Sequence, residues 1–260
     1  MSIAARRVVL AASAVLCVGA TAAGPPVVVF PAGPSVPENL LRIELRFALP
    51  LRAPLNVDHV KLLADDGQQI EDAFLDLPLS SADGKRVTLL LHPGRVKSGV
   101  GANLLLGRAL KAGSPVALVV DDPAIGPPIR KSWQVVAPDT LPPVPASWTL
   151  SLPAAGGRLP LTVHLEAPIG SSSESLIAVR GADGKRLDGA VALSDSETSW
   201  QFVPTRPWRA GRYALVTHAD LEDEAGNRAC AVFEMPGASR ANCETGTVTF
   251  FSLGVVRVSR

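Results

Sequence analysis

Neither sign of charge is in excess in this chain. Lysine and arginine total 25 against 24 aspartates and glutamates, a net charge of +1. That balance gives no basic face for a nucleic acid and no acidic tail for a cation cloud. Aromatic residues make up 5% of the chain and the basic residues are scattered, which removes base stacking as well. Hydrophobic runs are short. The apolar stretch from Val8 to Ala20 stops well before the roughly 20 residues that cross a bilayer. There are three cysteines, none in a C-x-x-C pair, and four histidines in separate segments, His59, His92, His164 and His218. No H-x-H or H-E-x-x-H spacing marks a metal site. Neither a G-x-S-x-G elbow nor a phosphate-cradling glycine loop is present, and the serine run Gly170 to Ser175 reads as a loop. No active site is marked, and neither an enzymatic activity nor a cofactor is expected.

What the chain does have is proline (23), glycine (22) and 47% hydrophobic residues against 19% charged ones. That composition supports a packed core with many turns, an all-β chain. At the N-terminus, Arg6 and Arg7 precede the apolar run, and Ala20-Thr21-Ala22 supplies a small-x-small cleavage site. Residues 1–23 therefore read as a cleaved signal peptide, and the mature protein is expected in the periplasm or outside the cell. Leu16 before Cys17 argues against a lipid anchor. Export leaves Cys230 and Cys243, which are expected to pair in an oxidising compartment.

The chain also repeats itself. "LADDGQQIEDAF", Leu63 to Phe74, returns as "GADGKRLDGAV", Gly181 to Val191. Each puts Asp-Gly, a hairpin-turn signal, between an apolar run and its return. Upstream, Ile43, Leu45 and Phe47 alternate with Arg42, Glu44 and Arg46, as Leu161, Val163 and Leu165 alternate with Thr162, His164 and Glu166. Period two with one apolar face predicts half-buried strands. Downstream, "LKAGSPVALVVDD" matches "WRAGRYALVTHAD". Short strands with regular turn signals predict two tandem Ig-like β-sandwiches, residues 24–137 and 138–260. The prolines between Pro138 and Pro145 predict a stiff, extended linker.

"PAGPSVPENLLRIELRFALPL", together with W-R-A-G-x-Y from Trp208 and L-x-D-x-A-G-N from Leu221, resembles the bacterial Ig-like domain of S-layer proteins and, distantly, the CopC-type copper-binding sandwich. The resemblance implies a secreted or periplasmic sandwich that binds or builds something. CopC-type copper sites use a histidine at the mature N-terminus, whereas the first histidine here is His59.

The copies differ in one loop. The first carries "GRVKSGVGANLLLGRAL", Gly94 to Leu110, which the second lacks. Leu104, Leu105, Leu106 and Leu110 are expected to cap the core, with Arg95, Lys97 and Arg108 outside. The alternative is a recognition loop with those cations as its rim. Trp208, between Arg206 and Arg209, reads as an exposed turn residue and a candidate binding patch, while Trp133, Trp148 and Trp200 read as core. Asp220, Glu222, Asp223 and Glu224 read as a solvated turn, with calcium binding as the alternative. The expected function is non-catalytic, a structural or partner-binding role in the cell envelope. The partner would be an envelope protein or a glycan, met at the insertion or at unpaired sheet edges. The alternative is periplasmic binding of copper or calcium.

Overall fold

A computed structural model describes residues 27–96, 101–194, 196–229 and 246–254, with the side chains of residues 101 and 102 excepted. The signal segment, Lys97, Cys230 and Cys243 lie outside the described residues, as does the strand expected after Asn227.

The first half contributes β1 (Val27–Phe30), β2 (Ser35–Pro37), β3 (Arg42–Phe47), β4 (Val60–Leu63), β5 (Leu79–Ser80) and β6 (Arg86–Leu90). Two short helices follow, α1 (Pro93–Val96) and α2 (Gly101–Leu106), then β7 (Pro115–Val120) and β8 (Ile129–Val136). These strands form two sheets, ordered β1-β3-β6-β5 and β2-β8-β7-β4. The second half contributes β9 (Thr149–Ser151), β10 (Leu161–His164), β11 (Ile177–Arg180), β12 (Gly189–Ser194), β13 (Ser199–Pro204), β14 (Gly211–Thr217) and β15 (Val248–Leu253). Its sheets run β9-β10-β13-β12 and β11-β14-β15. Both pairs of sheets follow the ABED and CFG order of the immunoglobulin sandwich. In the first copy the leading strand is split. β1 pairs antiparallel with β3, and β2 crosses to the other sheet to pair parallel with β8.

Each sandwich has its own core. Ile43, Leu45, Val87, Leu118 and Trp133 belong to the first, and Leu161, Val163, Trp200, Phe202 and Leu215 to the second. The alternation in β3 and β10 places these residues inward as expected. The polar face of β3 departs from the pattern, because Glu44 is only 2% exposed. The second sandwich packs against that face, so the strand is covered on both sides.

The repeated phrase forms the same turn twice. Gly67 (φ +79°) and Gly184 (φ +76°) take the left-handed conformation, which glycine adopts without a Cβ penalty. Asp66 Oδ1 accepts from Gln68 N at 2.9 Å, and Asp183 Oδ1 from Lys185 N at 3.1 Å. The expected return strand shrinks to one bridge in each copy, Leu63 with Gln69 and Arg180 with Arg186. In the second copy the chain then crosses to the opposite sheet, where β12 pairs with β13.

The candidate binding surface

Tyr213, at the start of β14, hydrogen-bonds through its hydroxyl to the Arg209 carbonyl at 2.8 Å and accepts from Arg209 N at 3.1 Å. This is the corner that immunoglobulin sandwiches build where the chain enters the sixth strand. The tight loop before it carries Trp208 inward. Trp208 is 3% exposed, and its indole N–H donates to the Leu159 carbonyl at 2.8 Å. Its ring meets Phe202 and Tyr213 edge-on, with centroids 5.8 and 5.4 Å away. The expectation of an exposed patch at Trp208 is therefore corrected, because the loop folds back to close the end of the core.

The insertion is corrected in two respects. Arg95 is 6% exposed, not part of an outer rim. It lies in the stem, where its carbonyl accepts from Ala109 N at 3.0 Å. Leu110 packs into the core as expected, but Leu104, Leu105 and Leu106 are 75%, 87% and 48% exposed. The stem alone fills the core end, so those three leucines cap nothing. Arg108 is mostly covered and stands 3.7 Å from Glu38.

The acidic turn keeps Asp220 at the surface, 57% exposed, but is not solvated throughout. Asp223 and Asn227 are 3% and 0% exposed at the junction between the sandwiches. Asp223 accepts from the backbone and side-chain amides of Asn227, both at 2.9 Å. Asn227 also donates to the Asp139 carbonyl at 3.0 Å. From the other sandwich, Asn39 pairs with both Asp139 backbone groups, at 2.7 and 2.8 Å. The linker is thus held by an asparagine from each side. Alongside, Arg42 pairs with Glu222. Arg46 donates to Glu174 at 2.9 Å and to the Ser171 carbonyl at 2.8 Å. Ala32 N donates to Glu197 at 2.9 Å. The serine run is a 3-10 helix, Ser171–Leu176, in which Ser173 Oγ donates to the Glu222 carbonyl at 2.9 Å.

Burial raises the Asp223 pKa to about 6, against the two Asn227 hydrogen bonds and with help from the Asp139 charge. Burial also raises Glu197 and, with Glu197, Asp223 and Asp139 close by, lifts Glu224 well above its ordinary value. All three bind protons more readily folded than unfolded. The Asp223 contribution is therefore complete below about pH 4 and is lost as pH rises through about 6, and those of Glu197 and Glu224 are lost in the same direction. Asp122 acts in the opposite sense. Burial works to raise it, but hydrogen bonds from Ala124 N, Asn56 N and His59 prevail and hold it low. Its contribution is lost only as pH falls below the ordinary carboxylate range. The melting temperature is expected to be higher near pH 5 than near pH 7.5. Asp223→Asn should flatten that slope, as melts across the pH range would show.

Each described histidine makes a local contact. His59 lies 3.0 Å from Asp122, His164 lies 2.8 Å from Ser151, His92 accepts from Gly94 N at 3.0 Å and His218 accepts from Asp220 N at 3.2 Å. Among the described residues no three of His, Cys, Asp and Glu come together in a metal-sized group.

One surface was not read from the sequence. On β15, Thr249, Phe251 and Leu253 face the core side, leaving Val248 and Phe250 outward at 48% and 61% exposure. Strand register aligns Ala178, Val216 and Val248 in one cross-strand row and Arg180, Ala214 and Phe250 in the next. The Arg212 guanidinium sits 4.3 Å over the Phe250 ring. A groove of about 330 Å³ adjoins this face, lined in part by Leu176, Ala178, Arg180 and Val216. The equivalent face of the first sandwich presents exposed Arg130, Ser132 and Gln134 on β8, with Val136 at its end, 44% exposed. Two apolar sets interleaved in "VTFFSL" were the available signal. Among the described residues β15 pairs with β14 alone, whereas β8 is flanked by β2 as well as β7.

No protein-family model matches the chain, and no curated protein matches it. Among solved structures it is similar to the BSP domain of a biofilm-associated protein, at 10% identity and a TM-score of 0.27, over 91% of this chain and 30% of that one. A pair of tandem titin Ig domains matches at 12% identity and a TM-score of 0.25, over 89% of this chain and 97% of that one. The N-terminal Ig1-2 module of the Drosophila receptor protein tyrosine phosphatase DLAR matches at 13% and 0.26, over 88% and 100%. The chain is an all-β protein of two Ig-like sandwiches, a class fixed by its strand order and register. No helix among the described residues is long and apolar enough to cross a membrane.

Proposed function

We propose that the chain is an exported, non-catalytic Ig-like protein that binds a partner in the cell envelope. Residues 1–23 are its signal peptide, 24–137 and 138–260 its two sandwiches, and Cys230 with Cys243 its disulfide. The partner is an envelope protein or glycan, met in the periplasm or at the cell surface. The observation that carries this reading is the contrast between two equivalent sheet faces. One presents Arg130, Ser132 and Gln134 with Val136 at its end, and the other exposes Phe250 and Val248, with Arg212 over the Phe250 ring. Exposed aromatic and arginine side chains are the residues that anchor protein interfaces. Among the described residues β15 pairs with β14 alone, so its other edge would offer backbone groups to an extended partner segment. Metal binding gains no support from the scattered histidines or from the acidic turn, where Glu222 pairs with Arg42, Asp223 with Asn227 and Asp220 with Arg228.

The test is photo-crosslinking in cells from position 250, with position 134 as the control. A discrete adduct from 250 and none from 134 is expected, and Arg212→Glu should diminish it at unchanged melting temperature. Equal labelling from both positions removes the reading. A saturable thermal shift with copper or calcium would replace it with the metal-binding alternative.

A further inference from the structure

The insertion between β6 and β7 is anchored at its base and bare at its tip. Val96, Ala109 and Leu110 are 2%, 3% and 2% exposed and belong to the first core. Between these anchors α2 is closed by Gly107, whose φ of +73° lets its N–H donate to the Asn103 carbonyl at 2.9 Å. This is a left-handed helix cap of the ordinary kind. α2 therefore ends in a cap and runs into a stem fixed in the core, yet it holds Leu104, Leu105 and Leu106 at 75%, 87% and 48% exposure.

The spacing of these leucines decides what covers them. Successive helical residues are set about 100° apart, so three in a row sweep about 200° of the circumference. A groove on a protein partner covers one stripe, made of positions i, i+3 and i+4. Three adjacent leucines share no such stripe. A medium that closes around the tip, as the acyl boundary of a bilayer does, removes all of them from water at once. Residues 93–114 contain no aspartate or glutamate; of their cations, Arg95 is buried and Arg108 stands 3.7 Å from Glu38. Lys111, just past the stem, is exposed.

We propose that α2 inserts its leucine tip into the interface of an anionic phospholipid bilayer, with Lys111 at the headgroups. Apolar side chains buried at the acyl boundary, together with cations facing anionic lipid, are the two terms that set such binding. Three leucines and few cations give reversible attachment, weaker than a lipid anchor. This attachment is separate from the Phe250 face and does not depend on a partner there.

The experiment is flotation with vesicles of phosphatidylethanolamine and phosphatidylglycerol, comparing the chain with its Leu104→Ser/Leu105→Ser/Leu106→Ser variant. Residues 1–23 are common to both, so they do not affect the difference. Each leucine replaced should lower the partition coefficient by about tenfold. Lys111→Glu should lower it further on anionic vesicles and little on neutral ones. Hydrogen exchange should show protection at residues 103–107 when vesicles are added, and none in the variant. The leucines are exposed, so the variant should melt with the parent. Equal flotation of parent and variant overturns the proposal. So does a leucine-dependent dimer formed without lipid, which would make a second copy of the chain the occupant.

Discussion

Trp208→Ala should destabilise the second sandwich by about 3–5 kcal/mol, the range for removing a large aromatic from a packed core. The ring is in a chain of aromatic contacts running from Trp200 through Phe202, Trp208 and Tyr213 to Phe251, with neighbouring centroids 5.4 to 6.1 Å apart. Removing the middle ring opens a cavity bounded by both sheets and leaves the Leu159 carbonyl without its indole donor. Denaturant melts followed by near-UV circular dichroism would report the loss. Trp208→Phe keeps most of the volume and loses the hydrogen bond, so it should cost about 1–2 kcal/mol. A Trp208→Ala protein that melts like the parent would show that the loop does not close the core.

Arg46→Ala carries the second large effect. The guanidinium bridges the two sandwiches, touching Glu44 on its own strand, Glu174 and the Ser171 carbonyl across the junction, and the Phe30 ring 4.5 Å away. Its removal leaves Glu44, 2% exposed, as a buried carboxylate without its cation. Breaking a fully buried pair costs about 3–5 kcal/mol. Arg46 is 24% exposed on its side chain, so screening reduces the expected loss to about 2–3 kcal/mol. The loss falls on the junction, not on either core. A melt that is one cooperative transition in the parent should split in two, which calorimetry would resolve. Replacing Arg46 and Glu44 together with apolar residues should recover part of the loss, because no unpaired charge then remains buried.

These residues also show what a sequence carries and what it hides. The Asp-Gly turns were legible because their cause is local, a glycine at positive φ and an aspartate bonding two residues on. The strand alternation was legible for the inward positions, whose partners are their own sheets. Arg42, Glu44 and Arg46 read as a solvent face because alternation reports only that one side is polar. It says nothing of a second domain that pairs with those charges. Asn39 and Asn227, 100 and 88 residues from Asp139 in sequence, had no local signal at all. Trp208 was misread because Pro207 and the flanking arginines describe the loop, while the side chain answers to a gap at the core end. The three insertion leucines were misread in the opposite direction. Apolar character predicts burial, but the stem had already filled the available space.

The hold that Asn39 and Asn227 place on Asp139 has a mechanical consequence. Load applied to the two ends of the molecule passes through the first sandwich, the linker and the second sandwich in series. The junction is held by polar contacts that water can replace and each sandwich by an apolar core, so the junction is expected to give way first. Its failure would separate the sandwiches about the proline-rich segment and lengthen the molecule while both stay folded. Once tension falls, Asp139 is expected to return to its two asparagines, so that the linker would act as a reversible strain relief.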